Sequence, residues 1–309
     1  MIGPHRMIPS PRLMSALSQA WAITPDAMRS LESMARAGVV ESIQAYAAQI
    51  EPGRAIAMRA HADSMIWSIE DDWFDPTNDP HIRGSGVGVF PIRGPLFDRA
   101  WACYQGYDRI IETCREFEAH YYLRKELQDT PDLVAVVMPF DSPGGVCVGW
   151  RSAVNAVKRL ASIVPVFSVA DREACSAAEG LAAQATKSYC TEDSFRGSCG
   201  ARMSHSDFSR ALAEEGVDVK HFSSGRYKSV GAGDVPRSQE TVEVFTDFTE
   251  RWAQSFREIM AQGRGMTPKE FDAMEARIYF GKDAVDIGLC DGVIEFETLI
   301  DILEAEGTI

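Results

Sequence analysis

Two short stretches of this chain carry residue types that acyl transfer needs. They are Asp141-Ser142-Pro143-Gly144-Gly145 and, about thirty residues later, Ala174-Cys175-Ser176-Ala177-Ala178. Each follows an apolar run that reads as a buried strand, and each leads into a helical pattern. Adjacent glycines offer bare backbone N–H groups that a substrate carbonyl can approach without Cβ interference. A serine at a helix start, between small residues, offers a hydroxyl where the helix N-terminus favours negative charge. The pair suggests an oxyanion hole in the glycine stretch and a nucleophile at Ser176. The N–H of Ala177, just after that serine, is a natural second donor. Taken singly, the glycine stretch fits an ordinary strand-to-helix turn equally well, and Ser176 fits a plain helix N-cap.

A serine needs a partner to take its proton. Lys228 lies in Ser223-Ser224-Gly225-Arg226-Tyr227-Lys228-Ser229. Lysine serves as a base only where desolvation or a cationic neighbour leaves it neutral; otherwise it is a solvated loop residue. Gly197-Ser198-Cys199-Gly200 reads as a tight turn whose Ser198 hydroxyl could hold such an amine. Of the histidines, His205 stands 29 residues after Ser176 and supplies the alternative of a histidine base.

The elements that must position these residues alternate from residue 87 onward. Strands are expected at 87–92, 133–140, 164–170, 187–191, 217–222, 277–281 and 292–296. Helices are expected at 106–127, 148–163, 176–185, 206–215, 241–262 and 284–289. The run 133–140 is continuously apolar, as in a strand buried on both faces. Such alternation predicts an α/β fold with a largely parallel sheet flanked by helices, and ligands of open α/β sheets bind at the carboxyl ends of the strands. Residues 1–84 differ: prolines, helical patterns at 25–37 and 39–49, and a turn-rich acidic stretch at 71–80 predict an N-terminal helical arm and linker. The expected division is therefore 1–84 and 85–309.

The order of the motifs resembles the signal peptide peptidase A (SppA) family of Ser–Lys serine peptidases. The resemblance rests on a strand ending in DSPGG, a strand leading to the serine of Ala-Cys-Ser-Ala-Ala, then Gly-Ser-Cys-Gly, then Gly225-Arg226-Tyr227-Lys228-Ser229. The segments 277–284 and 288–291 also resemble that family's closing part. The resemblance covers residues 87 to about 300 and implies a ClpP/crotonase-like fold. It implies Ser176 as nucleophile, Lys228 as general base, Ser198 as the residue orienting the lysine, and Gly145, Gly144 and Ala177 as the oxyanion hole. It implies no cofactor and no metal. The start of the chain is similar to the phage and prophage capsid-assembly (head maturation) subgroup. That subgroup implies cleavage of scaffold, capsid or portal proteins during prohead assembly, a homo-oligomer, and action in the bacterial host cytoplasm or within the prohead. The end at Ile309 leaves no fused scaffold extension expected. The alternatives are a general cytoplasmic SppA-like peptidase, a crotonase-type acyl-CoA enzyme, and a catalytically weak capsid-assembly or scaffold-binding protein. Glu179, one turn after Ser176, could face the cleft, and a carboxylate there would tend to keep Lys228 protonated.

Bulk properties exclude other classes. A formal net charge of -14 disfavours a nucleic-acid partner, since no concentrated basic face is visible. No segment approaches the ~20 apolar residues of a membrane span, so no membrane partner is expected. Seven cysteines without a CxxC pair read as reduced thiols rather than a disulfide frame or zinc site.

Overall fold

In a computed structural model of the chain, the described residues are 21–23, 81–83, 86–100, 104–124 and 133–306. The helical patterns expected at 25–49, and most of the proposed arm, lie outside them. The one described piece of the arm before residue 81 is a strand, β1 (Trp21–Ile23).

The sheet is built around two long strands. β5 (Ala135–Ser142) and β7 (Val166–Cys175) pair in parallel. On one side β5 pairs with β3 (Val87–Val89) and β4 (Ile92–Arg93), also in parallel, and β2 (His81–Ile82) closes that edge antiparallel to β3. On the other side β7 forks. Its first half pairs with β8 (Lys187–Cys190) and its second half with β9 (Phe195–Gly197). β10 (Ile278–Phe280) edges β9 antiparallel, and β11 (Gly292–Val293) edges β8 in parallel. A short strand, β6 (Gly144–Val146), stands outside this sheet and pairs antiparallel with β1.

Period-two alternation explains the continuous apolar run of β5. Val136, Met138 and Phe140 enter the larger core, and Ala135 and Val137 enter the smaller one on the opposite face. The larger core is covered by α1 (Tyr107–Arg124), α2 (Trp150–Ala161), α3 (Ala177–Ala182) and the C-terminal half of α5 (Gln239–Arg264), which follows the short α4 (Ser209–Glu214). After α6 (Pro268–Ala273) and α7 (Lys282–Asp286), α8 (Phe296–Glu306) covers the smaller core with Leu299, Ile300 and Leu303. Trp150 is the pivot of the larger core. Its ring centroid lies 4.2 Å from that of Phe256, and its indole N–H donates to the Ala177 carbonyl at 2.8 Å.

The expected α/β architecture is present, with local corrections. Residues 217–222 are not a strand: no sheet edge receives them, and Phe222 is 89% exposed. β7 does not end at 170 but runs on to Cys175. The register between β5 and β7 jumps from Phe140↔Ala170 to Asp141↔Glu173, so Asp171 and Arg172 bulge out to solvent. A bulge of this kind re-aims the strand beyond it. β9, α6 and α8 carry no sequence expectation, and Gly144-Gly145 is part of a strand rather than a simple turn. Among the described residues no helix is long and apolar enough to cross a membrane. The six described cysteines are free and buried.

Candidate active site

The serine segment is built by the fork in β7. The β7–β9 pairing ends on Cys175↔Gly197, so Ser176 and Ser198 leave the sheet side by side at its carboxyl edge. Both have left-handed φ, 55° and 52°. Ser176 stands at the N-cap position of α3 with φ 55° and ψ −118°, and its side chain makes no capping bond. The plain-cap alternative is thereby removed. Instead the backbone is held from both sides: the Ser176 N–H donates to the Gly197 carbonyl at 2.7 Å, and the Ser198 N–H donates to the Arg277 carbonyl at 2.7 Å. A non-glycine residue in such a conformation costs of order 1–3 kcal/mol and persists only where its surroundings impose it. A sharp strand-to-helix turn of this type is how a nucleophile is lifted clear of a sheet. The Ser176 hydroxyl donates to the Gly200 carbonyl at 3.3 Å, and the residue is 1% exposed.

Ala177 is the first residue of α3, so its N–H is among the donors that a helix start leaves without an intrahelical partner. Gly144 and Gly145 run along β6. The Leu96 N–H donates to the Gly144 carbonyl and the Val146 N–H to the Leu96 carbonyl, both at 2.9 Å. A Cβ on Gly145 would fall 1.9 Å from the Leu96 oxygen, so the close approach of Leu96 requires glycine there. Gly144 has φ 101°. The segment is pinned further by the Ser142 hydroxyl, which donates to the Gly94 carbonyl at 2.7 Å, and by the Tyr107 hydroxyl, which donates to the Val146 carbonyl at 2.8 Å.

Glu179 corrects its expectation. It does not face a cleft. Its side chain is fully buried and forms a bidentate pair with an equally buried Arg196, at 2.7 and 2.8 Å. Arg196 also donates to the Ser188 hydroxyl at 2.8 Å and to the Tyr189 carbonyl at 2.9 Å. Burial works against the Arg196 cation, but the facing carboxylate outweighs it and raises the guanidinium above its ordinary range. Glu179 also accepts from the Gly197 N–H at 3.4 Å, so the pair ties α3 to the strand that holds Ser176. Sequence reading missed Arg196. The available signal was an acid inside an otherwise apolar Ala-Gly-Leu helix, which demands a buried counter-ion.

A second acidic feature borders the site. Glu173 lies opposite Asp141, and burial, with the Asp141 charge adding, lifts its carboxyl from an ordinary 4.5 to about 7. Cys175 and Cys199, beside the two serines, are buried, and burial pushes both thiols up, which makes them core filler rather than nucleophiles.

No hydrogen bond joins Lys228 to Ser176, whose hydroxyl donates to the Gly200 carbonyl instead. Lys228 lies in an exposed loop, and its ammonium makes no hydrogen bond or ion pair with another described residue. The described contacts of His205 are with other residues: its ring stacks edge-on against Phe245, and its Nε2 lies 3.4 Å from the Ala232 carbonyl.

A strained, non-capping serine beside a glycine strand at the carboxyl edge of a parallel sheet is the arrangement against which the comparisons with known proteins stand. Residues 158–309 match the sequence model of peptidase family S49. Those residues are similar to a peptidase family S49 domain. The chain's largely parallel sheet between helical layers is the ClpP/crotonase-like α/β fold of that family. The matched segment includes Ser176, Ser198 and Lys228 and begins inside α2, so the glycine strand lies outside it. The chain is 26% identical over 224 residues to the "Capsid assembly protease C" of Escherichia phage lambda, which covers 71% of this chain and 49% of that protein. It is 27% identical over 224 residues to the "Head-tail preconnector protein GP5" of Enterobacteria phage P21, covering 71% and 43%. It is 28% identical over 187 residues to the "Putative signal peptide peptidase SppA" of Enterococcus faecium, covering 59% and 54%. The chain thus spans about half the length of the curated relatives it matches.

Proposed function

We propose that this chain is a serine endopeptidase with a Ser176–Lys228 dyad, acting in phage or prophage head maturation on scaffold, capsid or portal proteins. The observation that carries the peptidase reading is the Ser176 backbone: φ 55°, ψ −118°, at a helix start whose cap it declines to make. Strain held from both sides at a residue with a nucleophilic hydroxyl is well explained by a catalytic role. The substrate class is supported by the two phage relatives, whose names place them in capsid assembly and head–tail connection.

In the proposed reaction, neutral Lys228, oriented by Ser198, takes the Ser176 proton as Oγ adds to the peptide carbonyl. The Gly145 and Ala177 N–H groups receive the oxyanion, with Gly144 setting the path of the strand. Lys228 then protonates the leaving amine, and water resolves the acyl-enzyme. No cofactor or metal enters these steps. Since Lys228 is exposed in the single chain, assembly into a homo-oligomer is the proposed means of closing the dyad. Packing the lysine loop against a neighbouring copy supplies both the approach and the desolvation that a neutral amine requires. The division into an arm, 1–84, and a peptidase domain, 85–309, is part of the same proposal.

The test uses Ser176→Ala, Lys228→Ala and His205→Ala, each assayed on unfolded casein and on a candidate scaffold protein. The first two lose roughly 10⁴-fold or more in rate, and the third keeps its rate. The parent rate rises toward alkaline pH, as a lysine base requires. Loss with His205→Ala and not with Lys228→Ala refutes the dyad.

A further inference from the structure

β1 and β6 pair antiparallel with Trp21 opposite Val146, Ala22 opposite Gly145, and Ile23 opposite Gly144. The direction of the Gly145 peptide groups follows from β6's other edge. The Gly144 carbonyl and the Val146 N–H are both bonded to Leu96. Backbone groups alternate sides along a strand, so the Gly145 N–H and C=O face the opposite edge, the one β1 covers. Residues directly opposite, with their N–H and C=O groups turned toward each other, exchange both bonds in an antiparallel pair. The carbonyl that meets the Gly145 N–H is therefore that of Ala22.

The Gly145 N–H is the donor assigned above to the oxyanion. A carbonyl held there is the carbonyl that Ser176 attacks. The geometry points to the Ala22–Ile23 bond of this same chain as a self-cleavage site, an inference that rests on the Ser176–Lys228 peptidase reading. β1 lies in the direction and register of a peptide substrate, extended and backbone-paired, and Ala22 is a small residue at the acyl position.

The step balances. Ser176 Oγ adds to the Ala22 carbonyl carbon while its proton passes to Lys228. The C–N bond breaks, and its electron pair leaves with the new Ile23 amine, which takes the proton from Lys228. Water then adds to the Ser176 ester, one of its protons returns to the serine through Lys228, and residues 1–22 depart with a terminal carboxylate. Departure of that segment frees the β6 edge for the next substrate, so the same cut that removes the segment opens the site.

The experiment follows the full chain by intact mass and N-terminal sequencing after prolonged incubation, with casein cleavage measured on the same samples. The expected result is a new N-terminus at Ile23 in the parent and none in Ser176→Ala. Ala22→Pro removes the N–H that pairs with the Gly145 carbonyl, so β1 no longer seats on the β6 edge; it is expected to lose the self-cut, while casein, which meets an edge already uncovered, is still cleaved. A parent that cleaves casein but stays intact, or is cut at another bond, overturns the inference and leaves the peptidase reading standing. Continued cleavage at 22–23 in Ala22→Pro overturns the assigned register. A parent that cleaves neither casein nor itself overturns the peptidase reading and this inference together.

Discussion

Replacing Arg196 by methionine isolates the energetic core of the site. The substitution keeps an unbranched stem of similar length but removes four donor contacts, all between 2.7 and 2.9 Å. It leaves Glu179 fully buried, with the Gly197 N–H at 3.4 Å as its remaining described hydrogen bond. An uncompensated buried charge costs about 3–5 kcal/mol. For domains of 150–250 residues, each kcal/mol moves the melting temperature by about 2–4 °C, so a fall of about 6–20 °C is expected. Thermal unfolding followed by circular dichroism reads it directly. The double variant Arg196→Met/Glu179→Leu removes both charges and is expected to recover most of the loss, since an apolar pair of similar volume is often neutral or better. Arg196→Lys falls between, because an ammonium cannot make the two parallel bonds. A single variant that melts within a degree of the parent, or a double variant as unstable as the sum of its singles, refutes this account. In the first case the charges are not what holds α3 to β9; in the second they do not act on each other.

Three further outcomes are expected. Gly180→Ala should gain about 1 kcal/mol from helix propensity, yet its Cβ would lie 2.2 Å from Trp150 Cζ2. Overpacking of about 1–3 kcal/mol is therefore expected to win in denaturant titration. Ser176→Gly is expected to be at least as stable as Ser176→Ala, by up to about 1–2 kcal/mol, because glycine relieves the strained backbone that alanine keeps; a more stable alanine variant would contradict the strain. Glu173→Gln tests the carboxyl lifted from 4.5 to about 7. A raised pKa means that the folded state binds the proton more tightly, so the parent's stability is full below pH 4.5 and falls as pH rises through 7. After screening of a partly exposed group, the loss is about 1–2 kcal/mol. The glutamine variant should match the parent at pH 4.5 and exceed it at pH 8 in chemical denaturation, and an equal difference at both pH values would contradict the assignment.

What the sequence revealed follows the range of the interactions involved. The run ending at Phe140 announces a strand buried on both faces because the signal is local and continuous. Ser176 after a strand and before a helix is equally local, but its backbone angles are not, since they depend on Gly197 and Arg277. β9 escaped notice because three residues containing an arginine carry no apolar pattern. That arginine is legible only once Glu179, 17 positions earlier, needs a partner. The run 217–222 has strand composition, but composition cannot supply an edge to pair with. The pairing of β1 with β6 joins positions more than a hundred residues apart, and no pattern in either segment announces it.

The forked strand has a mechanical consequence. β7 serves two branches, β8 with β11 and β9 with β10, and they part at the Asp171–Arg172 bulge. The second branch touches the serine directly, through the Gly197 carbonyl. A load applied to β10, an edge strand with Ile278 and Phe280 exposed, is passed across one ladder to the Ser176 backbone. The same load on β11 takes a longer route, through β8 and then along β7 or across the Arg196 bonds to Ser188 and Tyr189. The nucleophile is therefore fastened more directly to the β9–β10 edge than to the β8–β11 edge.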